Sequence, residues 1–381
     1  MKILLIRLRL IGDVVFTTPM LRALKRAFPE SRLTYLVERE AAPIIASNPH
    51  LGEVIVVPRT RGWTRVRSDL ALARQLRAAR FDVVFDLHGG PRSSWLTWAT
   101  GAPQRIGYDV LGRSWQYTRT VHRPRGLQPR HSVANQWELL GAMEGWPGIL
   151  PDPGAYPTEM PVDPDADRRI ADRLRVAGVD QRHAVVVIHV SAGNPFRRWP
   201  EQAFADLVTA LAAAGDERRI ILSSGPSDRE AADRVLRAAR AALGPGRADR
   251  ALDFGDVDLA ELRALLDRSR LFVGGDTGPL HVASTTRTPI VGIYGPTLEE
   301  RSAPWRDPRV PTEAVQVEGL PCRPCEQRVC EPGDFRCLTW LAPETVIAAA
   351  ERALARTETA PGIARTARIT QMASDVGTRS S

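Results

Sequence analysis

The feature that most constrains this chain is a repeated alternation. Short β-branched, apolar runs are each followed by a stretch with helical spacing, in two series separated by one proline-dense segment. In the first series Ile3–Leu8, Leu33–Val37, Val54–Val57 and Asp82–Leu87 read as strands, with helices expected over Thr17–Phe28 and Leu70–Arg80 and a turn at Ile11-Gly12-Asp13. In the second, Ala184–His189, Arg219–Ser223, Leu271–Val273 and Pro289–Tyr294 read as strands, and Pro200–Ala214, Asp228–Leu243 and Leu259–Asp267 as helices. Strands that are apolar throughout are buried on both faces, so the pattern predicts an α/β protein of βαβ units with parallel sheets covered by helices. The stretch from Pro147 to Pro164 cannot carry a helix or a central strand and reads as a linker. The expected organisation is a Rossmann-like N-terminal domain over 1–160, a second over 161–356 and a disordered tail over 357–381. Ligand is expected in the cleft between the domains, at the C-terminal ends of the strands.

Composition narrows the class. Of 381 residues, 43% are hydrophobic and 25% charged, which excludes a largely disordered or fibrous chain. No apolar run approaches the roughly 20 residues of a membrane-spanning helix. Arg7 and Arg9 interrupt the apolar N-terminus and no small-residue cleavage site follows, so a cytoplasmic location without a signal peptide is expected, with contact to a membrane surface left open. The formal net charge is +8, carried by arginine apart from Lys2 and Lys25. Residues 59–77 and 105–130 each contain six Arg and one Asp. Such a field suits phosphates, an acidic sugar or an anionic lipid surface. No zinc-finger, RNP or helix-turn-helix signature accompanies it, and Trp63 is the only aromatic within 59–77, so nucleic acid is not the expected partner.

Three strand–helix turns carry candidate chemistry. Gly274-Gly275-Asp276-Thr277-Gly278-Pro279-Leu280-His281 follows an apolar strand and opens a helix, where glycines and amides suit a diphosphate. The alternative is a tight turn capped by Asp276 or Thr277. It matches neither a P-loop nor the dinucleotide fingerprint. Asp13, at the mouth of the first strand–helix turn, is either a helix cap or a general base in the cleft. Ser191-Ala192-Gly193, followed by Arg197-Arg198-Trp199-Pro200, is a small-residue loop with arginines suited to phosphate oxygens, or else a solvated basic loop.

Gly12-Asp13 with Thr18-Pro19, Asp86-Leu87-His88-Gly89 with Arg92-Ser93, and Arg105-Ile106-Gly107-Tyr108 resemble the N-terminal half of the lipopolysaccharide heptosyltransferases, glycosyltransferase family 9. Arg198-Trp199-Pro200, Asp276 to His281 and Gly295-Pro296-Thr297 resemble the C-terminal half, in the family's order, over about residues 1–352. The resemblance implies a GT-B fold, with a nucleotide sugar, usually ADP-heptose, on the C-terminal domain and a Kdo-containing or heptosylated lipid A core on the N-terminal one. It also implies inversion at the anomeric centre without a bound metal, and peripheral work at the cytoplasmic face of the inner membrane. Carried over by residue, Asp13 is the catalytic base. Ser191, Gly193, Arg198, Asp276, Thr277, Gly278 and His281 hold the nucleotide sugar, and Asp228 or Glu230 holds the ribose. Where the family often has Lys before Trp-Pro this chain has Arg198, and where it commonly has Gln this chain has His88. Arg61, Arg65 and Arg67 are expected to hold the acceptor's anionic groups or the anionic leaflet.

All four cysteines lie in Cys322-x2-Cys325-x4-Cys330-x6-Cys337. In a cytoplasmic chain such a cluster reads as a metal site or reduced thiols rather than a disulfide framework. Its spacing differs from a zinc ribbon, so a structural loop is expected, with structural zinc as the alternative and no other cofactor. Other readings weighed are a family relative using another nucleotide sugar for a different surface glycan, a non-catalytic nucleotide-binding protein, and an NAD-dependent oxidoreductase. The missing dinucleotide fingerprint argues against the last.

Overall fold

The computed structural model describes residues 1–57, 60, 62–122, 128–191 and 194–359. Its first sheet contains β1 (Lys2–Ile6), β2 (Arg32–Glu38), β3 (Glu53–Val57), β4 (Val83–Asp86), β5 (Gln104–Tyr108) and β6 (Arg119–Val121). The second contains β7 (Ala184–Val190), β8 (Arg218–Ser224), β9 (Ala251–Asp256), β10 (Leu271–Gly275), β11 (Ile290–Ile293) and β12 (Thr312–Val315). Both are six-stranded and parallel, in orders β3-β2-β1-β4-β5-β6 and β12-β11-β10-β7-β8-β9. The chain order reverses beside β1 and β4 in one half and beside β7 and β10 in the other. Such switch points open crevices at the strand ends, and they fall at the predicted motifs.

The helices of the first half are α1 (Ile11–Val15), α2 (Thr18–Ala27), α3 (Gly62–Ala79), α4 (Pro91–Ala99) and α5 (Ser132–Gly141). Those of the second are α6 (Pro164–Val176), α7 (Glu201–Ala213), α8 (Arg229–Leu243), α9 (Leu259–Asp267), α10 (Gly278–Ser284), α11 (Glu299–Ser302), α12 (Arg336–Thr339) and α13 (Pro343–Thr359). Successive strand residues alternate between faces. Ile3, Leu5, Tyr35 and Phe85 join one apolar cluster with Val185, Val187 and Phe272 of the second half, while Leu4, Ile6, Leu36 and Val84 pack under α3 and α4. Val186, Ile188, Leu222 and Val273 form the corresponding outer core beneath α7, α8 and α13.

Three expectations change. Ile11-Gly12-Asp13 is not a turn but most of the helix α1, because Leu10, at φ +70°, reverses the chain before it. Pro164 does not close the linker: it opens α6, where its missing N–H costs nothing, and Asp163 caps the helix by accepting from the amides of Asp165 and Ala166 at 2.8 Å. The linker is tied to both halves. The Glu159 amide donates to Thr18 Oγ1 at 2.8 Å and its carboxylate pairs with Arg22, while the Thr158 amide donates to the Trp305 carbonyl at 2.9 Å. α13 runs to Thr359, past the expected boundary at 356; the remainder of the predicted tail, residues 360–381, lies outside the described residues.

Candidate active site

The β1–α1 connection and the β10–α10 turn meet across the cleft. A Cβ at Gly12 would stand 2.3 Å from His281 Cδ2, and one at Gly278 would stand 3.1 Å from Ile11 Cβ. Glycine at position 12 lets the halves approach this closely, and a side chain at 278 would press on Ile11. His281, buried, also packs its ring on Phe16 with centroids 4.5 Å apart.

Asp13 caps nothing. The residue at the N-cap of α1 is Leu10, whose side chain makes no capping bond, and Asp13 pairs through Oδ2 with Arg7 Nη2. Arg7 is buried at the end of β1, and its Nη1 donates to the Leu87 carbonyl at 2.5 Å. One guanidinium thus fixes the carboxylate against the β1–β4 junction while 27% of the Asp13 side chain stays exposed. Arg7 was not among the expected site residues: in sequence it is a charge interrupting an apolar run, and its partners become visible only through strand pairing. Leu10 sits at a positive φ that costs a branched residue about 1–3 kcal/mol.

Opposite, Asp276 is buried and its carboxylate is crowded with donors. Thr297 Oγ1 donates to Oδ2 at 2.6 Å, Arg197 Nη1 stands 3.3 Å from Oδ2, and His281 Nε2 stands 3.5 Å from Oδ1. Burial pushes this carboxyl up, but His281, Arg197 and the Thr297 hydroxyl outweigh it and hold the group at about 2. Neither Asp276 nor Thr277 caps α10, since Thr277 at the N-cap makes no side-chain capping bond. The Ser191 hydroxyl is buried near Gly275 without a hydrogen-bond partner among the described residues. Gly193 lies outside the described residues, as does Arg61.

The expected Arg198 is exposed, and it is the neighbouring Arg197 that faces Asp276. Trp199 anchors the turn by donating from Nε1 to the Leu341 carbonyl at 3.0 Å. Of the two ribose candidates, Asp228 is half-buried at the entry to α8, and its charge acts on His189, whose imidazole burial lowers to about 4; Glu230 is exposed. Asp86 is a structural carboxylate. It accepts from Tyr117, Ser93 and the amides of His88 and Gly89, and burial raises its pKa. Arg65 and Arg67 lie exposed near the start of α3, with Arg65 3.7 Å from Asp69.

The four cysteines are free thiols lining one cavity of about 470 Å3 beside the Gly295-Pro296-Thr297 turn. The Cys325 amide donates to the Pro296 carbonyl at 3.2 Å, and Arg323 donates to the Thr297 carbonyl at 2.7 Å. Burial raises the Cys337 thiol to about 11, and the neighbouring thiols add to the shift. Among the described residues, no group of three or more His, Cys, Asp or Glu side chains is arranged to hold a metal ion.

A model of the family described as glycosyltransferase family 9 (heptosyltransferase) matches residues 70–334. The chain belongs to glycosyltransferase family 9. As a glycosyltransferase of this family it is similar to lipopolysaccharide heptosyltransferase 3 of Escherichia coli, at 27% identity over 83% of this chain and 90% of that protein. Its structure is similar to a family 9 glycosyltransferase from Veillonella parvula, at TM-score 0.78 and 23% identity over 93% of this chain and 97% of the other. It is also similar to E. coli ADP-heptose LPS heptosyltransferase II, at TM-score 0.72 and 19% identity over 94% and 100%. The fold of this family 9 enzyme is GT-B, as the sequence implied. No helix among the described residues is long and apolar enough to cross a membrane.

Proposed function

We propose that this glycosyltransferase moves heptose from ADP-heptose to the inner core of a lipid A-linked acceptor, with inversion. The observation that carries the reading is the meeting of Asp13, held by Arg7, with the Asp276–His281 turn across a glycine-lined contact. Support for the donor comes from the similar heptosyltransferases, one of them named for ADP-heptose.

The chemistry follows from the placement. The Asp13 carboxylate takes the proton of the acceptor hydroxyl as its oxygen bonds to the anomeric carbon from one face. The bond from that carbon to the diphosphate breaks on the other face, so no glycosyl–enzyme intermediate forms. Ser191, Arg197, Arg198, His281 and the amides of Thr277 and Gly278 opening α10 stabilise the charge growing on the diphosphate. Asp276 orients Arg197 and His281 for that task, and of the two ribose candidates the half-buried Asp228 is preferred to the exposed Glu230. Arg65 and Arg67 face the acceptor's phosphates and carboxylates or the anionic leaflet that carries them.

Transfer from ADP-heptose to defined truncated cores, read by mass spectrometry, tests the reading. A thermal-shift series with ADP, UDP, GDP and NAD tests the donor separately, since a ligand bound only by the folded state raises apparent stability. Stabilisation by ADP is expected. Stabilisation by UDP or GDP alone moves the enzyme to another nucleotide sugar, and stabilisation by NAD alone sinks the proposal.

A further inference from the structure

We propose that the outer face of α3 is a bilayer anchor, in which Trp63, Val66 and Leu70 enter an anionic leaflet while Arg67 and Arg74 engage its phosphates. This deepens the lipid-linked acceptor reading above and rests on it. The helix places Leu72, Ala73 and Leu76 against the first sheet. At about 100° per residue, Trp63 and Leu70 turn away from that buried stripe and Val66 lies on the flank between, while Arg67 and Arg74 point most directly outward alongside them. Trp63 is 85% exposed, Val66 48% and Leu70 43%. An aromatic and aliphatic stripe with arginines among it is the make-up of a helix lying in the interfacial plane. The apolar groups sit among acyl chains, and the guanidiniums reach the phosphate level on their own stems.

Two asymmetries of the whole chain favour a bilayer as the occupant. The first 160 residues hold 22 basic and 13 acidic side chains, and the remaining residues hold 30 and 31, so the net charge of +8 arises entirely in the N-terminal half. Among the described residues, ten of the thirteen exposed large apolar side chains also precede residue 160. They include Trp98 on α4, which packs beside α3, and Trp115, whose ring centroid lies 5.9 Å from that of Trp98. A surface that is both apolar and cationic over one half only matches a planar anionic interface. α3 opens at the strand ends where Asp13 sits, so insertion there would bring the cleft mouth to the level of a lipid-borne sugar.

The test uses the full chain with phosphatidylcholine vesicles, with and without phosphatidylglycerol, at low salt and at about 1 M salt, where the screening length is about 3 Å. Wild type is expected to stay on the anionic vesicles at high salt, because insertion of apolar groups is not screened. The variant W63Q/V66Q/L70Q should partition about tenfold or more weakly. Its Tm and its kcat on a deacylated, water-soluble acceptor should be unchanged, while KM rises for acceptor embedded in vesicles. Complete release of wild type at high salt, vesicle binding by the variant equal to wild type, or capture of a protein on this face without vesicle binding would each overturn the anchor. Partitioning needs no sugar nucleotide, so failure of the donor assignment would leave this result standing.

Discussion

Asp13 and Asp276 are both carboxylates at strand ends, yet their surroundings differ. Asp13 is part-exposed and held by one buried guanidinium, whereas Asp276 is enclosed by a hydroxyl, a guanidinium and an imidazole. Asp13→Asn is nearly isosteric but cannot accept the proton, so kcat should fall roughly 10²–10⁴-fold with ADP affinity retained. Turnover near the wild-type rate would move the base elsewhere in the cleft. Asp276→Ala should act on the other quantity and weaken nucleotide-sugar binding about tenfold or more, because it releases Arg197 and His281 from their shared partner. Titration calorimetry with ADP separates the two variants. Gly12→Ala forces its Cβ to within 2.3 Å of His281 unless the halves part, and the misplacement should cost about 100-fold in kcat with little loss of Tm. The placement of Asp13 and of Asp276–His281 where a strand hands over to a helix was legible in the sequence, because such junctions are short and local. Arg7 was not, since its partners Asp13 and Leu87 converge only when β1 pairs with β4.

At the scale of elements, the apolar periodicity located the central strands and the helices over them, Leu259–Asp267 to the residue. Elements with weaker signals escaped. β6, of sequence Arg-Thr-Val, is an edge strand with exposed side chains, and α4 and α6 each begin at a proline, which the eye takes for a break although the first helical turn tolerates it. The cysteine loop is also clearer at this scale. Its hydrogen bonds to the Pro296 and Thr297 carbonyls brace the turn that presents Thr297 to Asp276. Cys322→Ser should therefore lower Tm modestly and leave kcat within about twofold, because a thiol adds nothing to glycosyl transfer. An intact fold without turnover would refute a bracing role, and elemental analysis of chelator-free protein decides whether zinc is bound.

Across the whole molecule, the two halves are joined by buried groups that respond to acid. His131 Nδ1 accepts from the Val133 amide at 3.1 Å, and Nε2 lies 2.9 Å from the Ala303 carbonyl of the opposite half, its ring between Phe16 and Trp305. Burial lowers this imidazole from 6.5 to about 4, as it does His189. Below the unfolded value the unfolded chain binds protons that the native one refuses, so stability present above pH 6.5 drains away as pH falls towards 4. Each histidine should cost about 1–2 kcal/mol by about pH 5, and His131→Gln should flatten the decline of Tm over that interval. An unaltered Tm–pH slope in the variant would show that His131 is not among the groups responsible. The linker has a different consequence, for inheritance. Among the described residues the chain passes between the halves once, through a segment whose Glu159 reaches back to Thr18 and Arg22 while Thr158 reaches forward to Trp305. A single recombination near residue 150 could therefore graft a new N-terminal half onto an old C-terminal half, provided the newcomer keeps the threonine and arginine that greet Glu159 and the glycine and histidine that meet His281 and the Ala303 carbonyl.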